Sequence, residues 1–207
     1  MPKNKLIDCY EPGKIIASID ETGTGALSGP AYAAVVIMCE FDENPLWYDI
    51  NDSKKLSHKK RVELTNYIKS IALDYEICSI SNLIIDDINI LQARYKLYSN
   101  LIENLRIKPD LILVDGDKFK PIYDDNCEII PHICIEKGDL KYVSIAAASI
   151  ISKVERDEMM VRLHSKYPVY NFKSNKGYGT KEHLDAINTY GVCPQHRLSF
   201  GICKHYA

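Results

Sequence analysis

The chain has 207 residues, of which 46% are hydrophobic, with 26 basic against 28 acidic side chains. That is enough for one large domain with a real core, and the near-neutral charge excludes a globally basic nucleic-acid binder, so any such function must rest on local clusters. Seven scattered cysteines without a CxxC pair argue against a zinc site and for a reducing compartment. The absence of a signal-like N-terminus or an 18-residue apolar run leads us to expect a cytoplasmic protein with no membrane partner.

In chain order, residues 14–20 (KIIASID) and 31–39 (AYAAVVIMC) read as apolar strands. Residues 57–72 carry a helical stripe of Val62, Leu64, Tyr67, Ile68 and Ile71, with Ser57 placed to cap it. Residues 74–81 predict a strand and 86–105 a helix that stops before Lys108-Pro109. The short run 110–115 (DLILVD) is a strand bounded by Pro109 and Gly116, and 132–136 (HICIE) a weaker one. The stretch 144–167 has strong helix formers and no Gly or Pro. The tail from 168 is turn-rich, with one helix at 181–190 opened by Thr180 and closed by Gly191. Early strands followed by strand–helix alternation predict an α/β domain with a mixed sheet. We expect one domain over 1–207, with an α/β core at about 14–165 and a helical appendage at about 166–207.

Three apolar runs end on acids: Asp20-Glu21, Asp115 and Asp139. Strand ends are where α/β sheets place their chemistry. Four carboxylates meeting there would repel one another. Hard divalent cations such as Mg²⁺ or Mn²⁺ are the usual remedy. Two ions about 4 Å apart can activate water and stabilise the leaving oxygen of a phosphodiester. Each acid taken singly also suits a turn or a helix cap. Adjacent strand residues point to opposite faces, so Asp20 and Glu21 share one site only if the strand breaks at Glu21. Asp117, Asp124 and Asp125 read as solvated loop charges, and Asp157 as a helix-surface ion-pair partner of Arg156 or Arg162.

After the first acids comes ETGTGALSGP, in which Gly23 and Gly25 flank Thr24. Such a loop is either a plain turn or a place where phosphate or a ribose hydroxyl meets backbone N–H groups. Two basic stretches, 51–61 and 173–183, are either solvated faces or phosphate-tracking patches. Tyr178, framed by glycines, is free to stack on a sugar or base. His196-Arg197 either contacts phosphate or ties the tail to the core.

Taken together, six segments resemble the bacterial type 2 ribonuclease H family, ribonuclease HII, in order from about 14 to 201. They are ASIDETGTGALSGP, NDSKKLS, IDDINILQA, ILVDGD, EKGDLKYVSIAAASIISKVERD and NKGYGTKEHL…YGVCPQHRLSF. The resemblance implies a ribonuclease H-like fold, a central mixed β-sheet flanked by helices with a C-terminal helical extension. It implies a metal-dependent endoribonuclease using two Mg²⁺ or Mn²⁺ ions. The substrate would be an RNA–DNA hybrid or duplex DNA with embedded ribonucleotides, cut to leave 3′-hydroxyl and 5′-phosphate ends. Carried over, Asp20, Glu21, Asp115 and Asp139 would be catalytic and bind the metals, with Asp20 shared between them. Gly23, Thr24 and Gly25 would read the ribose 2′-hydroxyl, and Tyr178 would stack on the next deoxyribose. Ser53, Lys54, His196 and Arg197 would lie near substrate phosphates. A monomer is expected. The family's GRG is Gly-Thr-Gly here, as in the sister ribonuclease HIII; Thr offers one hydroxyl where Arg offers several charged donors. Thirteen residues ahead of the first strand are too few for the HIII N-terminal domain. The alternatives carried forward are HIII-like specificity and a hybrid-binding protein without turnover.

Overall fold

A computed structural model describes residues 6–207. Five strands form one mixed sheet in the order β3-β2-β1-β4-β5: β1 (Ile16–Thr22), β2 (Ala31–Ile37), β3 (Asp74–Ile80), β4 (Leu111–Asp115) and β5 (His132–Ile135). The first three strands pair antiparallel, while β4 lies parallel to β1 and β5 parallel to β4. β1 therefore sits at the centre, with its C-terminal end beside that of β4.

Helices cover both faces, which explains why β2 is apolar at every position: all seven of its residues are buried. Its odd-numbered residues, with Ala17 and Ile19, pack under α2 (Asn82–Asn104). Ala34 and Val36 pack instead against α1 (His58–Ile71) and α3 (Val143–Lys166). The small residues Ala146, Ala147 and Ala148 are fully buried, letting α3 lie close across β1 and β2.

Local chemistry sets the element ends. Ser57 accepts from the Lys60 amide and Thr180 from the His183 amide, opening α1 and α5 (Lys181–Tyr190). Helix α2 starts four residues before the expected 86, because Ser81 caps it at the Ile84 amide. It is interrupted at Asn89 (φ 64°, ψ 164°), whose side chain accepts from the Leu91 and Gln92 amides and restarts the helix. Strand β1 also departs from expectation. It runs unbroken through Glu21 to Thr22, held by pairing of Glu21 with Ala33 and of Thr22 with Tyr32. The tail adds a short helix, α4 (Phe172–Asn175), and its last residues form a 3-10 turn, Gly201–Tyr206, tied down by the Tyr206 hydroxyl donating to the Ile187 carbonyl at 3.1 Å.

Candidate active site

The parity of β1 distributes the first two acids. Ser18 and Asp20 face α3; Ala17, Ile19 and Glu21 face α2. Asp20 is 7% exposed; it accepts from the Glu21 amide at 2.7 Å and from Ser149 on α3. Ser149 is in turn 3.0 Å from the hydroxyl of Ser53, so Ser53 reaches Asp20 through one intermediary. Glu21 turns the other way and accepts from the Tyr98 hydroxyl, with Arg94 at 3.4 Å. The strand does not break at Glu21. The two carboxylates flank the strand end on opposite faces, and Asp115 at the end of β4 raises the pKa of both.

Asp115 accepts from the Gly138 amide at 2.6 Å. Gly138 belongs to the tight turn after β5, where a Cβ would meet Ile145 at 2.6 Å. That turn carries Asp139 to within range of both Asp115 and Lys54. Burial pushes the Asp20 carboxyl well above the usual range, and the neighbouring Glu21 charge adds to it. Burial also raises Glu21, against the pull of Tyr98 and Arg94, and raises Asp139, against the pull of Lys54. These four acids form one electrostatically coupled cluster. Among the described residues no three such side chains already converge on a single point in ligating geometry, because Glu21 is drawn to Tyr98 and Asp115 to the Gly138 amide. The donor set nonetheless suits a hard divalent cation: it is all oxygen, and burial raises Asp20, Glu21 and Asp139, a shift that a cation would oppose.

The glycine loop lies beside this cluster and is held from behind. Gly23 has φ +82°, and a Cβ there would lie 1.9 Å from Arg156 Nε. Arg156 is buried and donates to the Pro30 and Ser28 carbonyls. Arg197 is fully buried and sends its guanidinium to the carbonyls of Gly23, Thr24 and Gly29 at 2.8–3.0 Å. His196 is 1% exposed and sits 3.1 Å from His183, whose Nδ1 meets the Tyr178 carbonyl at 2.9 Å. The expected phosphate contacts of His196 and Arg197 therefore give way to an internal role: they tie the tail to the loop. Arg197 is fully buried and spends four of its five N–H groups on those carbonyls, which keeps it from a phosphate. Tyr178 stands 37% exposed, with the Arg156 guanidinium 5.4 Å from its ring centre. Lys54 is exposed and Ser53 buried. Asp157 is not on the helix surface. It is 3% exposed and paired with Lys153 at 2.7 Å and Arg61 at 3.6 Å.

Sequence reasoning missed Ser149, Arg94 and Tyr98. The last two had a legible signal: four residues apart on α2, they share one helix face. Ser149 sits in an apolar run that gave no hint of polarity.

The model of the family described as Ribonuclease HII matches residues 17–203. The chain belongs to the ribonuclease HII family. It is 47% identical over 185 residues to the ribonuclease HII of Endomicrobium trichonymphae, covering 89% of this chain and 84% of that one. It is 48% identical over 200 residues to that of Oceanobacillus iheyensis, covering 96% and 73%. Among solved structures it resembles the ribonuclease HII of Archaeoglobus fulgidus, solved in a complex with PCNA, at TM-score 0.74 and 29% identity over 91% of this chain and 96% of that one. The ribonuclease H2 of Pyrococcus horikoshii follows at TM-score 0.72 and 28% identity, covering 92% and 95%. Ribonuclease HIII structures match at 18% identity and share the fold. The protein is thus a ribonuclease H-type endoribonuclease on a mixed five-stranded sheet. No helix among the described residues is long and apolar enough to cross a membrane.

Proposed function

We propose that the protein hydrolyses the RNA strand of RNA–DNA hybrids and the ribonucleotide positions of duplex DNA, leaving 3′-hydroxyl and 5′-phosphate ends. The observation that carries this is the coupling of Asp20, Glu21, Asp115 and Asp139 around the C-terminal ends of β1 and β4, beside a loop whose Gly23 has φ +82° and no room for a Cβ. Asp20, Glu21, Asp115 and Asp139 would hold divalent ions, Mg²⁺ or Mn²⁺, with Asp20 between two of them. Bound there, such ions lower the pKa of a water and neutralise charge on the scissile phosphate. A ribonuclease HIII of the same fold has been solved with Mn²⁺. The chain's own groups do the positioning. Ser149 and the Glu21 amide orient Asp20, Tyr98 and Arg94 orient Glu21, and the Gly138 amide orients Asp115. The Gly23–Gly25 backbone approaches the ribose 2′-hydroxyl, and the partly exposed ring of Tyr178 takes the neighbouring sugar. Lys54 beside Asp139 suits a substrate phosphate.

End-labelled duplexes with one ribonucleotide, with four, and with a full RNA strand test this, in Mg²⁺ and separately in Mn²⁺. Cleavage 5′ to the single ribonucleotide, lost in Asp20→Asn, is expected. Cutting of the longer RNA stretches alone would favour the second reading, HIII-like specificity, which rests on Thr24 in the loop. Binding without cutting in both metals would overturn the enzymatic reading.

A further inference from the structure

A cavity of about 380 Å³ opens between the glycine loop and helix α2, lined by Thr24, Gly25, Ile90, Leu91, Arg94 and Phe200. Any nucleic-acid strand laid against the loop brings backbone anions to this cavity. The loop has no charge to meet them: Thr24 offers one hydroxyl, and its carbonyl is already taken by Arg197. Among the described residues, Arg94 is the one charged side chain lining the cavity. Its guanidinium donates to Glu21 at 3.4 Å and to the Lys118 carbonyl at 3.3 Å. Its Nε is buried with no partner, and two further N–H groups are uncommitted. The side chain is 18% exposed, so it is anchored yet reachable. The non-helical Asn89 sets this position, since the helix restarts there and places Arg94 and Tyr98 one turn apart against Glu21.

We propose that Arg94 is a substrate-binding, specificity-determining residue: from helix α2 it supplies a guanidinium to a backbone phosphate of the strand lying on the Gly-Thr-Gly loop. This rests on the ribonuclease reading above. A planar fork already aligned by Glu21 suits bidentate contact with a phosphate. The same Glu21 contact makes Arg94 a link between the acid cluster and the bound strand.

The test uses the full chain and a duplex with one ribonucleotide. Cleavage kinetics are measured in Mg²⁺ for wild type, Arg94→Gln, Arg94→Lys and Thr24→Arg, and for Thr24→Arg combined with Arg94→Gln. Binding is measured against salt with each change in an Asp20→Asn background, which removes turnover. Arg94→Gln keeps a donor for Glu21 and loses the charge. It is expected to raise KM about tenfold with kcat within about threefold, the scale of one charge-assisted contact. The slope of log Kd against log salt should become shallower by about 1, the signature of one lost phosphate contact. Arg94→Lys should keep the slope, and Thr24→Arg should restore KM in the Arg94→Gln protein. An unchanged salt slope overturns the proposal, whether kcat falls (Arg94 then serves Glu21 alone) or nothing changes. The ribonuclease reading fails separately, if wild type does not cut or Asp20→Asn cuts equally well.

Discussion

Around Asp20 four carboxylates lie close together, answered by a few hydroxyls, amides, Arg94 and Lys54, whereas around Arg197 one buried charge is met by the backbone carbonyls of Gly23, Thr24 and Gly29. The two regions touch through the glycine loop yet have opposite pH behaviour. Asp20, Glu21 and Asp139 have raised pKa values in the folded chain. The folded state binds more of their protons than the unfolded state, so stability falls as pH rises past their unfolded values. The buried His183–His196 pair has depressed values, His196 to about 4. There the unfolded state takes up protons first, so stability is complete above the unfolded value of 6.5 and is lost as pH falls toward 4. One region holds carboxyls that burial pushes toward the protonated form. The other is a clamp that must stay neutral at the histidines and charged at the arginines.

The largest expected effect breaks the first region. Asp20→Asn or Asp115→Asn should cut single-ribonucleotide cleavage by at least about a thousandfold, on the order of 4 kcal/mol of transition-state stabilisation. Gel assays of cleavage check this, and full activity in either variant would remove the acids from the site. The clamp comes next. Arg197→Ala should destabilise the chain by about 3 kcal/mol, because it leaves the carbonyls of Gly23, Thr24 and Gly29 buried without donors. Denaturant unfolding measures it, and Arg197→Lys should rescue only part, since a compact ammonium lacks the rigid planar fork that spans these carbonyls. Gly23→Ala should cost about 2–3 kcal/mol, from its positive φ and the pinned Arg156 behind it. A wild-type melting temperature for Gly23→Ala would show that the loop is not so constrained.

Smaller effects sharpen the contrast. In metal-free buffer, lowering pH from 6.5 to 4.5 should remove on the order of 2 kcal/mol through the histidine pair. The carboxylates push the other way, so the pair is best isolated as the difference between wild type and His196→Asn, whose pH slope over that window should be shallower. The smallest effect is a gain: Asp20→Asn should raise the melting temperature at pH 7 by about 3 °C without metal. Added Mg²⁺ should narrow that gap by stabilising the wild type alone.

Much of what positions the candidate site was legible in the chain. Apolar runs ending on Asp20-Glu21 and Asp115 located the strand ends, and alternation alone required that Asp20 and Glu21 face opposite ways. The break expected at Glu21 is absent because pairing with β2 extends past the acids, so the two carboxylates stay on opposite faces, with Asp115, one strand over, coupled to both. The motif order also sufficed to place the chain in its family. What the sequence could not settle was the partnership of charges distant along the chain. His196-Arg197 looked equally fit for phosphate or for tying down the tail, and only packing put Arg197 under the loop 173 residues away. Asp157 looked like a surface acid until α1 brought Arg61 against it. Periodicity and turn chemistry act over a few residues, so they fix elements, caps and the ends of strands. Burial, and with it the choice between binding a ligand and holding the fold, depends on contacts that exist only once the sheet, its helices and the tail have closed on one another.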